Sequence, residues 1–228
     1  MKITVIGEVN HGKTSLIEKI LFKKLLKARA ELKDLRTRDL QVEDFIIEDK
    51  THYILDCPGH SSYLNNSILP IPYSDLIIIV FSAVQGSLPE KIISLLEYCK
   101  YHKCKILLVI SKVDLCSREI FIKRVSKILS LLEIAGIKDY EYCIFSTEEP
   151  LLRTALLNKI KEIDTKIERS NKNNNLLVLR SFNTNIPGKP ISQYESGILG
   201  CISKEGLEEG SFYLNEKDET TAIEIISI

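Results

Sequence analysis

Four things are scarce in this sequence, and each absence closes off a class of protein. Net charge is zero, with 31 Lys and Arg against 31 Asp and Glu. A surface built to bind polyanions all over is therefore disfavoured, and the basic run from Lys23 to Lys33 reads first as a solvated helix face and only second as an RNA contact. Long hydrophobic runs are missing too. The longest, Leu76 to Phe81, is far short of the roughly 20 residues that span a bilayer, so it reads as a buried strand and no membrane partner is expected. No charged leader or apolar signal region precedes a first strand that begins at Lys2, which predicts a cytoplasmic protein. Six cysteines, at positions 57, 99, 104, 116, 143 and 201, include no pair spaced two apart. Reduced core thiols are expected in place of a zinc ribbon or redox dithiol.

What is present is ordinary globular composition, 44% apolar and 27% charged, in 228 residues. That length holds one full domain and a smaller second one. From Met1 to about Ser170, short apolar runs alternate with helical stretches: KITVIG, Thr14–Leu26, DFIIE, HYILDC, DLIIIVFS, Pro89–Tyr101, KILLVIS, Ser117–Glu133, YCIF and Pro150–Ile167. The alternation predicts an α/β fold, a mainly parallel sheet with helices on both faces. DFIIE and HYILDC, separated by Asp49 to Thr51, should form one antiparallel hairpin at a sheet edge. We place this first domain at residues 1–168. A polar, aperiodic linker follows at 169–175. From 176 to 228, short runs divided by Gly, Pro, Asn and Asp predict a β-barrel domain, and the stretch is short for a closed barrel. A fragment or a reduced protein is expected.

Gly7-Glu8-Val9-Asn10-His11-Gly12-Lys13-Thr14 follows a hydrophobic strand and precedes a helix, the setting in which a P-loop cradles phosphate. The glycines let backbone amides, those of Asn10, His11, Gly12 and Ser15 among them, turn toward an anion at a helix N-terminus. Lys13 would bridge the β- and γ-oxygens, and the Thr14 hydroxyl would ligate Mg2+. Asp56-Cys57-Pro58-Gly59-His60 ends the strand HYIL. Asp56 there can hold magnesium through water, the Gly59 amide can meet a γ-phosphate, and the His60 imidazole can orient the attacking water.

Ser111-Lys112-Val113-Asp114 ends another strand. Guanine offers two hydrogens along one edge, at N1 and at its exocyclic amine, and one carboxylate at Asp114 can accept both. Adenine cannot reciprocate, so GTP and GDP, not ATP, are the expected nucleotides. Lys112 would lie along the ring. Ser111 stands where asparagine is usual, which predicts weaker ties to the P-loop. Ser146-Thr147, after YCIF, would buttress the base. Thr37, nineteen residues before Asp56, is the candidate for a switch threonine that completes magnesium coordination; Leu35, Arg36 and Arg38 replace the small and β-branched neighbours expected there. With no arginine finger evident, turnover should be slow until a GTPase-activating protein acts.

With these blocks in view, the chain resembles the translational GTPases of the elongation factor Tu group. GEVNHGKT, DCPGH and the spacing from Thr37 to Asp56 carry the likeness. Within that group, VLRSFNTNIPGKPISQYESGILGCISKEGLEEG, from Val178 to Gly210, is similar to the start of the second domain in the gamma subunit of eukaryotic and archaeal translation initiation factor two. The resemblance implies a translation initiation factor that hydrolyses GTP and delivers initiator methionyl-tRNA. Its implied partners are the alpha and beta subunits of that factor and the small ribosomal subunit. An elongation factor for another aminoacyl-tRNA, and a degenerate scaffold subunit that does not hydrolyse GTP, are the alternatives.

Overall fold

The structure is a computed structural model that describes residues 1–22, 41–57, 68–84, 91–167, 176–182, 198–203, 210–215 and 218–225. It divides into two compact units, Met1–Glu168 and Arg169–Ile228.

The first unit is a six-stranded sheet in the order β2-β3-β1-β4-β5-β6. The strands are β1 Lys2–Ile6, β2 Gln41–Ile47, β3 Lys50–Asp56, β4 Leu76–Ser82, β5 Lys105–Ser111 and β6 Glu141–Phe145. All neighbours pair in parallel except β2 with β3. The helices are α1 Lys13–Leu21, α2 Lys91–Tyr101, α3 Arg118–Ile134 and α4 Pro150–Thr165.

Parallel strands need helical crossovers, which cover both faces and leave no solvated side for polar residues. The central strand obeys this fully: every residue of β4 is buried. Its alternate side chains feed two separate cores. Ile77, Ile79 and Phe81 pack with Leu108 and Ile110 beneath Leu96, Ile128 and Leu132 of α2 and α3. Ile78 and Val80 pack with Val5, Leu107 and Val109 beneath Leu16, Ile17 and Ile20 of α1 and Leu156 and Ile160 of α4.

Three boundaries differ from the sequence reading. The β2–β3 hairpin is antiparallel and at an edge, as expected, but its turn is Glu48–Asp49, so that Lys50 and Thr51 already belong to β3. Both turn residues have positive φ, 48° and 62°, the conformation that lets a two-residue turn follow the strands' right-handed twist. Helix α1 closes at Leu21, because Phe22 adopts a left-handed conformation (φ 55°) as its C-cap; the basic run from Lys23 lies outside the described residues. Ser117 is the N-cap of α3, not its first residue, with its hydroxyl accepting from the Ile120 amide at 3.4 Å.

In the second unit, β7 Leu176–Phe182 pairs antiparallel with β8 Ile198–Ser203, and β9 Gly210–Asn215 with β10 Asp218–Ile225. Among the described residues, no helix is long and apolar enough to cross a membrane.

Candidate nucleotide-binding site

Because β1, β3, β4, β5 and β6 run in parallel, their C-terminal ends share one edge of the sheet. Ligands of such sheets bind beyond those ends, where the strand order reverses. Here β1 is flanked by β3 on one side and β4 on the other, and the loop leaving β1 is the P-loop found in the sequence.

The loop's course depends on backbone conformations that few residues tolerate. Gly7 has φ +149° and Gly12 φ +89°, and Asn10 sits at φ 62° in the left-handed region, where asparagine is among the better tolerated residues. A Cβ on Gly7 would lie 2.4 Å from the Val80 carbonyl oxygen, so β1 and β4 approach too closely here for any side chain. The Gly12 carbonyl accepts from the Leu16 amide at 2.9 Å, which starts α1; the amides of a helix's first turn have no carbonyl partner within the helix. Those amides, with the helix dipole, favour an anion.

His11 donates its amide to the Glu8 carbonyl oxygen at 3.3 Å. Its side chain is buried beneath the loop, with Nδ1 3.2 Å from the Val80 carbonyl oxygen. Burial lowers its pKa from 6.5 to about 4, against a smaller opposing effect of the Val80 carbonyl. The ring is therefore neutral at pH 7. Since the folded value lies below the unfolded one, the unfolded chain binds the extra proton first. The associated stability is present above about pH 6.5 and is lost as pH falls toward 4, an effect of about 3 kcal/mol. Urea unfolding at pH 7 and pH 5 should show about 2 kcal/mol of this loss, and His11→Asn should shrink it; an unchanged pH dependence in the variant would assign the loss to other groups.

Lys13 is buried, and its ammonium donates to the Glu8 carbonyl oxygen at 2.9 Å. Burial pushes its pKa down, while the nearby Asp56 carboxylate pulls it up. A phosphate oxygen, being charged, is a stronger acceptor than that carbonyl. Thr14 Oγ1 donates to Asp56 Oδ2 at 2.7 Å, joining the start of α1 to the end of β3. A hydroxyl and a carboxylate side by side are hard oxygen donors of the kind magnesium takes alongside phosphate and water. Among the described residues no group of three His, Cys, Asp or Glu side chains is placed to hold a metal. Thr37, Gly59 and His60 lie outside the described residues.

At the end of β5, Ser111 is buried and its hydroxyl donates to the His11 carbonyl oxygen at 2.5 Å, with the Phe81 carbonyl oxygen farther off at 3.3 Å. The Ser111 carbonyl in turn accepts from the Ala83 amide at 2.9 Å. The serine expected to tie the P-loop less strongly than asparagine thus makes one hydrogen bond into the middle of the loop. Ser111→Ala should cost about 1–2 kcal/mol of stability, since it leaves a buried carbonyl without its donor. A denaturation midpoint equal to the parent's would show the bond to be of no consequence. Lys112 takes a left-handed conformation (φ 59°) and caps the short 3-10 turn Val113–Leu115, which leaves Asp114 exposed at the strand-end edge. Beyond β6, the buried Ser146 accepts from the Glu148 amide at 3.1 Å, and Thr147 donates to the Glu148 carboxylate at 3.1 Å. Serine bonded two residues ahead in this way holds a tight turn.

Sequence reading missed Arg124 of α3. Its Nε donates to the Ser82 carbonyl oxygen at 3.0 Å, closing the end of β4 just beneath the P-loop. Helical periodicity marks that position only as partly buried, and nothing in the spacing shows which strand end it reaches.

The family profile described as "Elongation factor Tu GTP binding domain" matches residues 1–194. The apicoplast elongation factor Tu of Plasmodium falciparum is 26% identical over 250 aligned positions, covering 98% of this chain and 60% of that one. A chloroplastic translation initiation factor IF-2 of Galdieria sulphuraria is 37% identical over 86 positions, covering 37% of this chain and 32% of that protein. Among solved structures, a bacterial selenocysteine-specific elongation factor superposes with a TM-score of 0.73 at 23% identity, over 89% of this chain and 34% of that one. The chain thus spans from about a third to 60% of the length of these relatives. The fold, the P-loop geometry and a profile match over most of the sequence agree, and the chain belongs to the elongation factor Tu family of translational GTPases.

Proposed function

We propose that this chain is a magnesium-dependent GTPase of translation initiation, resembling the gamma subunit, whose GTP state holds the aminoacyl end of initiator methionyl-tRNA. The observation that carries the nucleotide half is the Thr14–Asp56 hydrogen bond beside Lys13. It gathers the two magnesium-directed oxygens and the phosphate-directed cation at one strand end. Magnesium bound there would neutralise charge developing on the transferring phosphoryl group. Lys13 would hold the β- and γ-oxygens, Thr37 and Gly59 would read the γ-phosphate, and His60 would orient water. Asp114 would accept from guanine, with Lys112 along the ring and Ser146-Thr147 behind it.

The initiator-tRNA half rests on the motif from Val178 to Gly210 and on the kinship with an initiation factor. Alpha and beta subunits, the small ribosomal subunit and a GTPase-activating protein are the partners it brings. A second reading, delivery of another aminoacyl-tRNA during elongation, is favoured by the alignment of nearly the whole chain with an elongation factor Tu.

Filter binding of labelled GTP, GDP and ATP, with and without magnesium, tests the first half. Guanine nucleotides should bind and ATP should not; absence of guanine-nucleotide binding would leave a scaffold. Initiator, elongator methionyl and selenocysteinyl tRNAs, each offered in the GTP and GDP states, separate the two translational readings. A His60→Ala variant should keep GTP binding yet lose stimulated hydrolysis, and normal stimulated rates would remove His60 from the mechanism.

A further inference from the structure

The sheet edge opposite the nucleotide site is formed by the N-terminal ends of the parallel strands and the C-terminal ends of the helices that lead into them. Lysines crowd it, and most are neutralised. Lys50 pairs with Asp164 at 3.7 Å, Lys105 with Asp139 at 3.1 Å, Lys159 with Glu141 at 3.2 Å, Lys166 with Glu162 at 2.8 Å, and Lys161 with Glu48. Lys100, Lys103 and Lys138 are exposed, and among the described residues none of them is ion-paired.

These three lysines are neighbours. A Cβ built on Gly136 would meet the Lys100 ammonium at 2.7 Å, which seats the end of α2 against the loop of residues 136–140 that carries Lys138. The bond from Lys105 to Asp139 ties the start of β5 to the same loop. Glu97 is the only acid in α2, one turn before Lys100 and not paired with it. Between Lys100 and Lys103 stands an aromatic ring. Tyr101 is 79% exposed, set edge-to-face against His102 at 5.1 Å between centroids, and His102 is in turn edge-to-face with Tyr98 at 4.6 Å. The turn that carries them is fixed. The Lys103 amide donates to the Lys100 carbonyl oxygen at 3.0 Å and the Cys104 amide to the Cys99 carbonyl oxygen at 3.1 Å, with Lys103 left-handed at φ 54°, which is the Schellman ending of a helix.

A chain of zero net charge has no general attraction for polyanions, so three uncompensated ammonium groups around a standing ring are a local feature. Phosphates spaced along a strand match the cations, and an unstacked base offers a face to the ring. An acidic peptide would match the lysines alone and leave Tyr101 unused. We propose that the end of α2 and the 136–140 loop form a contact surface for an unpaired stretch of RNA, with a base stacked on Tyr101 and phosphates on Lys100, Lys103 and Lys138. The surface lies at the far edge of the sheet from the P-loop, so it stands apart from the nucleotide reading above.

Anisotropy of a labelled single-stranded RNA of about ten nucleotides, titrated with the full chain in magnesium and GDP, tests this. Three phosphate contacts predict that the logarithm of the affinity falls with that of the salt concentration with a slope of about −2, since each contact on a single strand contributes about −0.7. Lys100→Gln, Lys103→Gln and Lys138→Gln combined should remove most of that slope. Tyr101→Ala should weaken binding about tenfold and leave the slope as it is. Because the chain contains no tryptophan, Tyr101→Trp places a single reporter at the ring, and its emission should fall as RNA binds. All four side chains are exposed, so melting temperatures should match the parent's. Absence of RNA binding, equal affinity in Tyr101→Ala, a slope that the lysine variant leaves unchanged, or a silent reporter with RNA bound would each overturn the assignment. A fully paired RNA duplex that binds as tightly as the single strand would overturn the base contact, and displacement of the RNA by polyglutamate at equal charge would overturn RNA in favour of an acidic protein.

Discussion

Gly7→Ala should lower the stability of the first unit by about 3–5 kcal/mol, the sum of a positive-φ penalty and overpacking against a fixed backbone. The added methyl carbon would lie 2.4 Å from the Val80 carbonyl oxygen. That oxygen belongs to the buried central strand β4, which pairs with β1 on one side and β5 on the other, and it also faces His11 Nδ1 at 3.2 Å. It cannot retreat without disturbing the strand and the histidine that shapes the loop. Gly136 offers the internal comparison: φ is +65°, but a Cβ there meets only the Lys100 ammonium, at 2.7 Å, the far end of a flexible side chain. Gly136→Ala should therefore cost only about 1–2 kcal/mol, mostly conformational strain. For a unit of this size the Gly7 variant should melt about 10 °C or more below the parent. A melting point within a few degrees of the parent, or equal losses in the two variants, would show that β1 and β4 separate easily at the P-loop.

The elements most legible in the sequence are those whose burial is uniform. Leu76 to Phe81 reads as a buried strand because a parallel strand covered on both faces needs no polar alternation, and β4 is that strand. The P-loop was legible because glycine at fixed spacing between a strand and a helix has one backbone solution. Boundaries set by conformation rather than pattern were not legible. Glu48 and Asp49 carry no glycine or asparagine to announce a turn with positive φ, and Phe22 continues the helical pattern while its backbone leaves it. Ser111 is a related case. Residue type gave only the expectation of a weaker tie than asparagine makes, and the partner the hydroxyl finds depends on where β5 ends relative to the His11 carbonyl, a long-range distance of the folded chain. Arg124 and Arg153 belong to the same class, since each acts on a carbonyl of a distant element.

Asp114→Asn should reverse the choice of base. The exposed carboxylate at the end of β5 presents two acceptors and no donor, which suits the two hydrogens that guanine offers along one edge. An asparagine amide keeps one acceptor and replaces the other with a donor. Guanine's exocyclic amine would then face an N–H group. Xanthine, which carries a carbonyl at that carbon, would meet a complementary donor. Sites built on such paired hydrogen bonds reject the wrong partner strongly, because a buried polar group on each side is left unmatched. GTP affinity should fall by about a thousandfold or more, and xanthosine triphosphate should become the preferred ligand. Lys13→Ala, which removes the phosphate-directed cation and leaves the base loop intact, should weaken both nucleotides alike. Competition of guanosine, xanthosine and adenosine triphosphates against a labelled ligand on both variants reads the difference directly. If Asp114→Asn still prefers GTP, the carboxylate at the end of β5 does not contact the base, and recognition must lie in the Ser146–Thr147 loop instead.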